Sequence, residues 1–141
     1  MPGTGPLGGI YSGLRTAFDD DDVKELYQAD YAFVAACDMP LLQRALLEEI
    51  RRLAPEYEAV VPVSDEGLPE PLCAVYGPNC IRAIRERLEA GQRKAASFLE
   101  DVRTLFVPPE HWRRFDPGGL SFLNVNREED LVRAREILEF E

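Results

Sequence analysis

Leu7, Ile10, Tyr11, Leu14 and Phe18 recur at the i, i+3, i+4 spacing of one helical face, so a first helix is predicted from just after Pro6 to the acidic run Asp19 to Asp22, which reads as a solvated loop. Tyr31 to Cys37 is a short, almost wholly apolar run, the pattern of a strand covered on both faces, and Asp38-Met39-Pro40 stops it. From Pro40 the period turns helical again: Leu42, Leu46, Ile50 and Leu53 form the stripe, with Glu48, Glu49, Arg51 and Arg52 assigned to solvent. Ala59 to Val63 and Pro71 to Tyr76 are two further strands, separated by an Asp65-Glu66-Gly67 turn. Ile81, Ile84 and Leu88 mark a helix closed by Gly91. Lys94 to Asp101 is predicted as a short helix and Thr104 to Val107 as a fourth strand. After the brief apolar stretch Phe122 to Val125, Asn126 and Glu129 form a capping box, and Leu131, Ala134, Ile137 and Leu138 carry a final helix.

Strands and helices thus alternate along nearly the whole chain. This predicts an α/β, Rossmann-like three-layer sandwich: a mostly parallel sheet with helices on both faces, one domain over residues 1–141. Ligands of such sheets bind outside the carboxyl ends of the strands, which directs attention to the residues just after each apolar run.

Charge narrows the partners. The formal net charge is −10, which argues against a sequence-independent nucleic-acid binder and against a polybasic membrane-surface protein, because both need surplus positive charge. No apolar run approaches the roughly 18 residues of a membrane span, and the first residues have no signal-peptide pattern, so a cytoplasmic location is expected. Cys37, Cys73 and Cys80 are odd in number and contain no C-x-x-C pair, the pattern of buried, inert thiols.

Asp38 directly follows a predicted buried strand, where a carboxylate can hold Mg²⁺ against a phosphate; an Asx turn before Pro40 fits the local sequence equally well. Asn124 and Asn126 alternate about Val125, so both side chains share one face of an extended segment, although Asn126 already serves as a helix cap. Gly3 to Gly8 matches G-x-G-x-x-G in letters only, since no strand precedes it, but a glycine-rich helix start can still cradle an anion. Arg93 and Lys94 follow a helix end and form a phosphate clamp or a solvated surface pair. His111 beside Trp112 reads as a packing residue, because no Ser, Cys or second His stands at a useful spacing.

Taken in order, Gly5-Pro6-Leu7-Gly8-Gly9-Ile10, Ala36-Cys37-Asp38-Met39-Pro40-Leu41, Glu70 to Tyr76, Leu88 to Lys94, and Phe122 to Leu131 resemble five blocks of the molybdenum cofactor guanylyltransferases. The resemblance implies a nucleotidyltransferase-type fold and the transfer of GMP from GTP to molybdenum-bearing molybdopterin, with release of pyrophosphate and a requirement for Mg²⁺. By the same resemblance, Asp38 is the metal-binding and catalytic aspartate that also touches the nucleotide phosphates. Asn126 joins it at the metal, and Gly5, Pro6, Leu7 and Gly9 lie near the nucleotide. Arg93, Lys94, Asn124 and Asn126 face the acceptor.

The family's glycine-rich loop of the form L-A-G-G-x-S-x-R-M-G-x-D-K has no counterpart in these residues. The resemblance is therefore to the larger, C-terminal part of such an enzyme, without its first strand-helix unit. A related transferase for another acceptor, of cytidylyl or cobinamide type, is one alternative, and a non-catalytic acceptor-binding domain is another. A sheet edge left uncovered in this way predicts self-association, as a dimer or as a tendency to aggregate.

Overall fold

The computed structural model describes residues 5–21, 30–36, 39 and 41–122. Helix α1, Gly5–Asp19, buries the predicted stripe of Leu7, Ile10, Tyr11, Leu14 and Phe18. It starts at Gly5, one residue before the proline whose fixed φ and missing N–H suit the first turn. Strand β1, Ala32–Ala35, occupies the centre of the predicted apolar run. Helix α2, Arg44–Leu53, begins later than the proline-initiated helix of the prediction. Strands β2 (Ala59–Pro62), β3 (Cys73–Tyr76) and β4 (Thr104–Val107) and helix α3 (Cys80–Glu89) fall where the pattern put them. A short helix α4, Pro109–Trp112, follows β4.

The four strands form one sheet in the order β1-β3-β2-β4. β1, β2 and β4 run in one direction, as a mostly parallel sheet requires, but β3 is inserted between β1 and β2 and runs against both. The only parallel ladder among the described strands is β2 with β4. The reason is local: β2 and β3 are joined by a hairpin in which Gly67 adopts φ +82° and donates its N–H to Ser64 O at 2.9 Å. A parallel return needs a crossover of a dozen or more residues, usually a helix, whereas a turn-closed connection delivers an antiparallel partner.

All residues of β2 and β3 are buried, as their unbroken apolar runs demand. Alternate side chains face opposite layers. Val61, Ala59, Ala74 and Tyr76 meet α1 and α3 through Leu7, Ile10, Leu14 and Ile84, with Phe98 of the turn segment joining the same cluster. Val60, Val75 and Val107 meet α2 and α4 through Leu46, Ile50 and Trp112. The sheet is therefore covered on both faces, a three-layer α/β arrangement, and no helix among the described residues is long and apolar enough to cross a membrane.

Two local expectations are corrected. The segment predicted as a helix from Lys94 to Asp101 is instead a series of turns ending in a 3-10 helix, Leu99–Asp101. Its N–H groups bond three residues back, Ser97 to Lys94, Leu99 to Ala96 and Asp101 to Phe98, and the Ser97 hydroxyl competes for the Lys94 carbonyl at 2.8 Å. Arg87 holds the segment's end by bonding both carboxylate oxygens of Asp101, at 2.6 and 2.9 Å. Glu49, assigned to solvent by the helical period, is only 5% exposed. It sits at the border of the α2 stripe and turns towards α4, where His111 Nε2 lies 2.6 Å from its Oε2. Arg52 closes the other side, donating to the same carboxylate at 2.5 and 2.9 Å.

Cys73 and Cys80 are buried free thiols, and burial pushes each up to about 12, as inert thiols require. Cys37 lies outside the described residues.

Candidate functional site

The strand directions define the two edges of the sheet. β1, β2 and β4 end at Ala35, Pro62 and Val107, and the reversed β3 begins beside them, with Cys73 opposite Ala35. That row is the carboxyl edge, where a sheet of this kind takes its ligands. At the far edge, Glu58 O accepts N–H bonds from Gly77 and a thiol bond from Cys80, so α3 starts there. Its ten residues span about 15 Å, enough to carry the chain back along the strands. Gly91, with φ +87°, then ends the helical run, and exposed Arg93 and Lys94 follow at the carboxyl edge.

The first turn of α1 is pinned to the same place. Leu7 donates its N–H to the Arg93 carbonyl at 3.3 Å. Gly5 approaches so closely that an added Cβ would lie 3.4 Å from both Arg93 Cβ and Arg93 O, in a backbone conformation, φ +63°, that favours glycine. Two residues 86 positions apart (93 − 7 = 86) are thus brought together. The contact also changes what the helix start offers. Pro6 has no N–H and Leu7 spends its own on Arg93, so neither of these two positions offers a free amide at the helix start, and the side chains of Arg93 and Lys94 beside it are exposed. Gly9 is exposed, and nothing lies within 4 Å of a Cβ placed on it.

Gly5→Ala is therefore expected to cost about 1–2 kcal/mol through its left-handed backbone, and to displace the Arg93 segment. Thermal unfolding checks the first effect, and hydrogen exchange at the Leu7 amide, faster in the variant, checks the second.

Asp38, Asn124 and Asn126 lie outside the described residues, but the described chain around Asp38 and the described chain leading towards Asn124 are anchored. Ala36 donates to Leu72 O at 3.0 Å and Met39 donates to Ala36 O at 3.2 Å, with Met39 and Leu41 both buried. On the other segment, Ser121 Oγ accepts the Gln43 N–H at 2.9 Å. Gln43 opens α2, the helix that follows β1, so the stretch leading to Asn124 meets the stretch leading from Asp38. Among the described residues no three His, Cys, Asp or Glu side chains group as a metal cage. Mg²⁺ keeps several waters and takes one or two carboxylates beside substrate phosphates, so a donor set of Asp38 with Asn126 suits its chemistry without such a cage.

Sequence reasoning missed two buried polar residues here. Asp116 is 1% exposed and Ser121 is fully buried. Neither has a local signal beyond the Asp116-Pro117-Gly118-Gly119 turn. His111, read as a packing residue, packs its ring 6.1 Å from Phe115 and bonds Glu49. A cleft of about 630 Å³, lined by Tyr31, Phe33, Leu47 and Arg51 among others, runs along β1 and α2 and is not part of the carboxyl-edge cluster.

With that geometry in place, comparison with known proteins is decisive. Residues 1–106 match the model of the MobA-like NTP transferase domain. The chain belongs to the MobA-like NTP transferase family. Within the family it is 34% identical over 131 residues to a molybdenum cofactor guanylyltransferase of Desulfosudis oleivorans, covering 92% of this chain and 59% of the relative. A probable molybdenum cofactor guanylyltransferase of Pelotomaculum thermopropionicum is 36% identical over 140 residues, covering 99% of this chain and 62% of the relative. The chain thus spans about six-tenths of the length of these family members. The crystal structure of molybdopterin-guanine dinucleotide biosynthesis protein A from Archaeoglobus fulgidus superposes with a TM-score of 0.78 at 30% identity, over 97% of this chain and 64% of that one. A protein from Aquifex aeolicus, 21% identical with a TM-score of 0.60, covers 88% of this chain and 57% of its own, and shares the fold.

Proposed function

We propose that the chain takes part in transferring GMP from GTP to the phosphate of molybdenum-bearing molybdopterin, forming the guanine dinucleotide cofactor and releasing pyrophosphate, in the cytoplasm. The observation that carries this reading is the contact of the Gly5-Pro6-Leu7 turn with Arg93 at the carboxyl edge, in a chain whose family relatives are guanylyltransferases. In such a reaction the acceptor phosphate oxygen attacks the α-phosphorus of GTP, a P–O bond to the new cofactor forms, and the bond to the pyrophosphate leaving group breaks. Little covalent chemistry falls to the protein; positioning and charge neutralisation carry the catalysis. Mg²⁺, when bound, supplies positive charge to the phosphates and the leaving group. Asp38 and Asn126 are the residues that would hold it, and Asp38 would also orient the nucleotide phosphates. Gly5, Pro6, Leu7 and Gly9 line the nucleotide side. Arg93 and Lys94 clamp the acceptor phosphate, Arg93 through a planar fork and Lys94 as a point charge, with Asn124 and Asn126 hydrogen-bonding the acceptor.

This chemistry needs no histidine base, since a phosphate nucleophile is already anionic near neutral pH. The test is fluorescence titration of molybdopterin into the chain. Arg93→Ala is expected to weaken binding about tenfold or more, the worth of a charge-assisted contact. Lys94→Ala is expected to weaken it less. Equal affinity in all three proteins would remove both cations from the acceptor site.

A further inference from the structure

The two segments that carry the proposed metal ligands are separated by most of the chain, yet a buried polar relay connects them. Asp116, a carboxylate only 1% exposed, accepts the Leu120 N–H on Oδ1 at 3.0 Å and the Ser121 N–H on Oδ2 at 2.9 Å. Ser121, fully buried, presents its Oγ to the Gln43 N–H at 2.9 Å. Gln43 opens α2 without capping that helix by its own side chain, and instead donates its amide Nε2–H to Leu41 O at 2.9 Å. The polar group at the start of α2 therefore comes from a residue 78 positions away in sequence. The turn that presents it is held firmly. Gly119 adopts φ +64°, Phe122 donates to Gly119 O at 3.2 Å, and the Phe122 ring stands edge-on to Trp112 at 4.9 Å. Trp112 is itself tied to the end of β2 by its indole N–H on Val63 O, at 2.8 Å.

A buried carboxylate satisfied by backbone amides is a costly way to fill core volume, and an apolar side chain would pack there without desolvating a charge. What it provides is direction: two charge-assisted bonds fix the Leu120-Ser121 peptides, and hence the Ser121 hydroxyl, in one orientation. Asn124 is three residues beyond Ser121 and Asp38 five before Gln43. These leashes extend at most ~10 and ~17 Å. We infer that Asp116 and Ser121 are positioning residues which lock residues 119–122 onto residues 41–43, the described chain bordering Asn124 and Asp38, and that nucleotide and metal binding depends on this lock. The functional consequence rests on the guanylyltransferase reading above; the mechanical lock does not.

Hydrogen exchange on the full chain separates the two. Ser121→Ala removes the hydroxyl and is expected to accelerate exchange about tenfold at amides of both 41–47 and 119–122. Ser64→Ala, which deletes a hydroxyl contact of 3.2 Å to the Leu68 N–H in the β2-β3 hairpin, serves as the control and leaves both segments unchanged. Asp116→Asn, which sets an amide NH2 against a backbone N–H, is expected to act like Ser121→Ala; should that variant fold poorly, the serine variant alone decides. Acceleration confined to 119–122 would overturn the lock. In parallel, Ser121→Ala is expected to weaken Mg²⁺-dependent GTP binding at least fivefold, with Ser64→Ala matching the unaltered chain. Unchanged GTP affinity despite faster exchange in both segments would overturn the positioning role. Failure of the unaltered chain to bind GTP with Mg²⁺ would overturn the reading on which that role rests, and the exchange result would still stand or fall on its own.

Discussion

Asp38→Ala is expected to lower the Mg²⁺-dependent affinity for GTP by about 100-fold, the usual scale for removing one preorganised electrostatic contact to a reacting phosphate group. The melting temperature is expected to move by no more than about 2 °C, the scale of a substitution that removes a ligand-binding group rather than core packing. Asp38→Asn sharpens the result: it keeps the shape and the capacity to form an Asx turn but removes the charge that a hard cation needs. If Asp38 were only a turn residue, the asparagine variant would bind GTP and Mg²⁺ as the unaltered chain does. Calorimetric titration with and without Mg²⁺ distinguishes the two outcomes.

Glu49→Ala carries the largest expected loss of stability, about 2–3 kcal/mol, since removing one partner of a buried ion pair leaves the rest uncompensated while the exposure of Arg52 moderates the cost. Hydrogen bonds from Arg52, and then from His111, hold the Glu49 carboxyl at about 2 against an ordinary 4.5, overcoming the opposing effect of burial. An ionised carboxylate only accepts, so His111 must donate from Nε2, and the pairing fixes that tautomer. The sign of the pH dependence follows. A carboxyl whose pKa is depressed by folding stabilises the protein fully above 4.5, and that contribution is lost as the pH falls from about 4.5 towards about 2. Urea unfolding at pH 7 and pH 3 is expected to show a steeper loss for the unaltered chain than for Glu49→Gln. Parallel losses would mean that the pair contributes nothing to folding.

Much of the fold was legible because single periods run undisturbed through its elements. Helix α1 shows one helical stripe, β2 and β3 are unbroken apolar runs, and Gly91 stands at the left-handed position that ends the run after α3. The reversal of β3 was not drawn from the sequence, although the Asp65-Glu66-Gly67 turn that closes the β2-β3 connection, too short a link for a parallel return, was read there as a turn. Glu49 was misassigned for the opposite reason. Its position on the border of the stripe is ambiguous by period, and what draws it inward is His111, 62 positions away. Asp116 and Ser121 carry no local signal, because their worth lies in a bond to Gln43 that only tertiary structure creates. The meeting of Leu7 with Arg93 is of the same kind: each lay in a recognisable segment, but only the return path of α3 makes them neighbours.

Titration of GTP into the purified chain, with and without Mg²⁺ and with ATP and CTP as controls, tests most directly whether the carboxyl edge of this sheet is a guanylyltransferase site. Binding that requires Mg²⁺ and favours GTP over both controls is the expected result. Binding of no nucleotide, or binding indifferent to the metal, would contradict it.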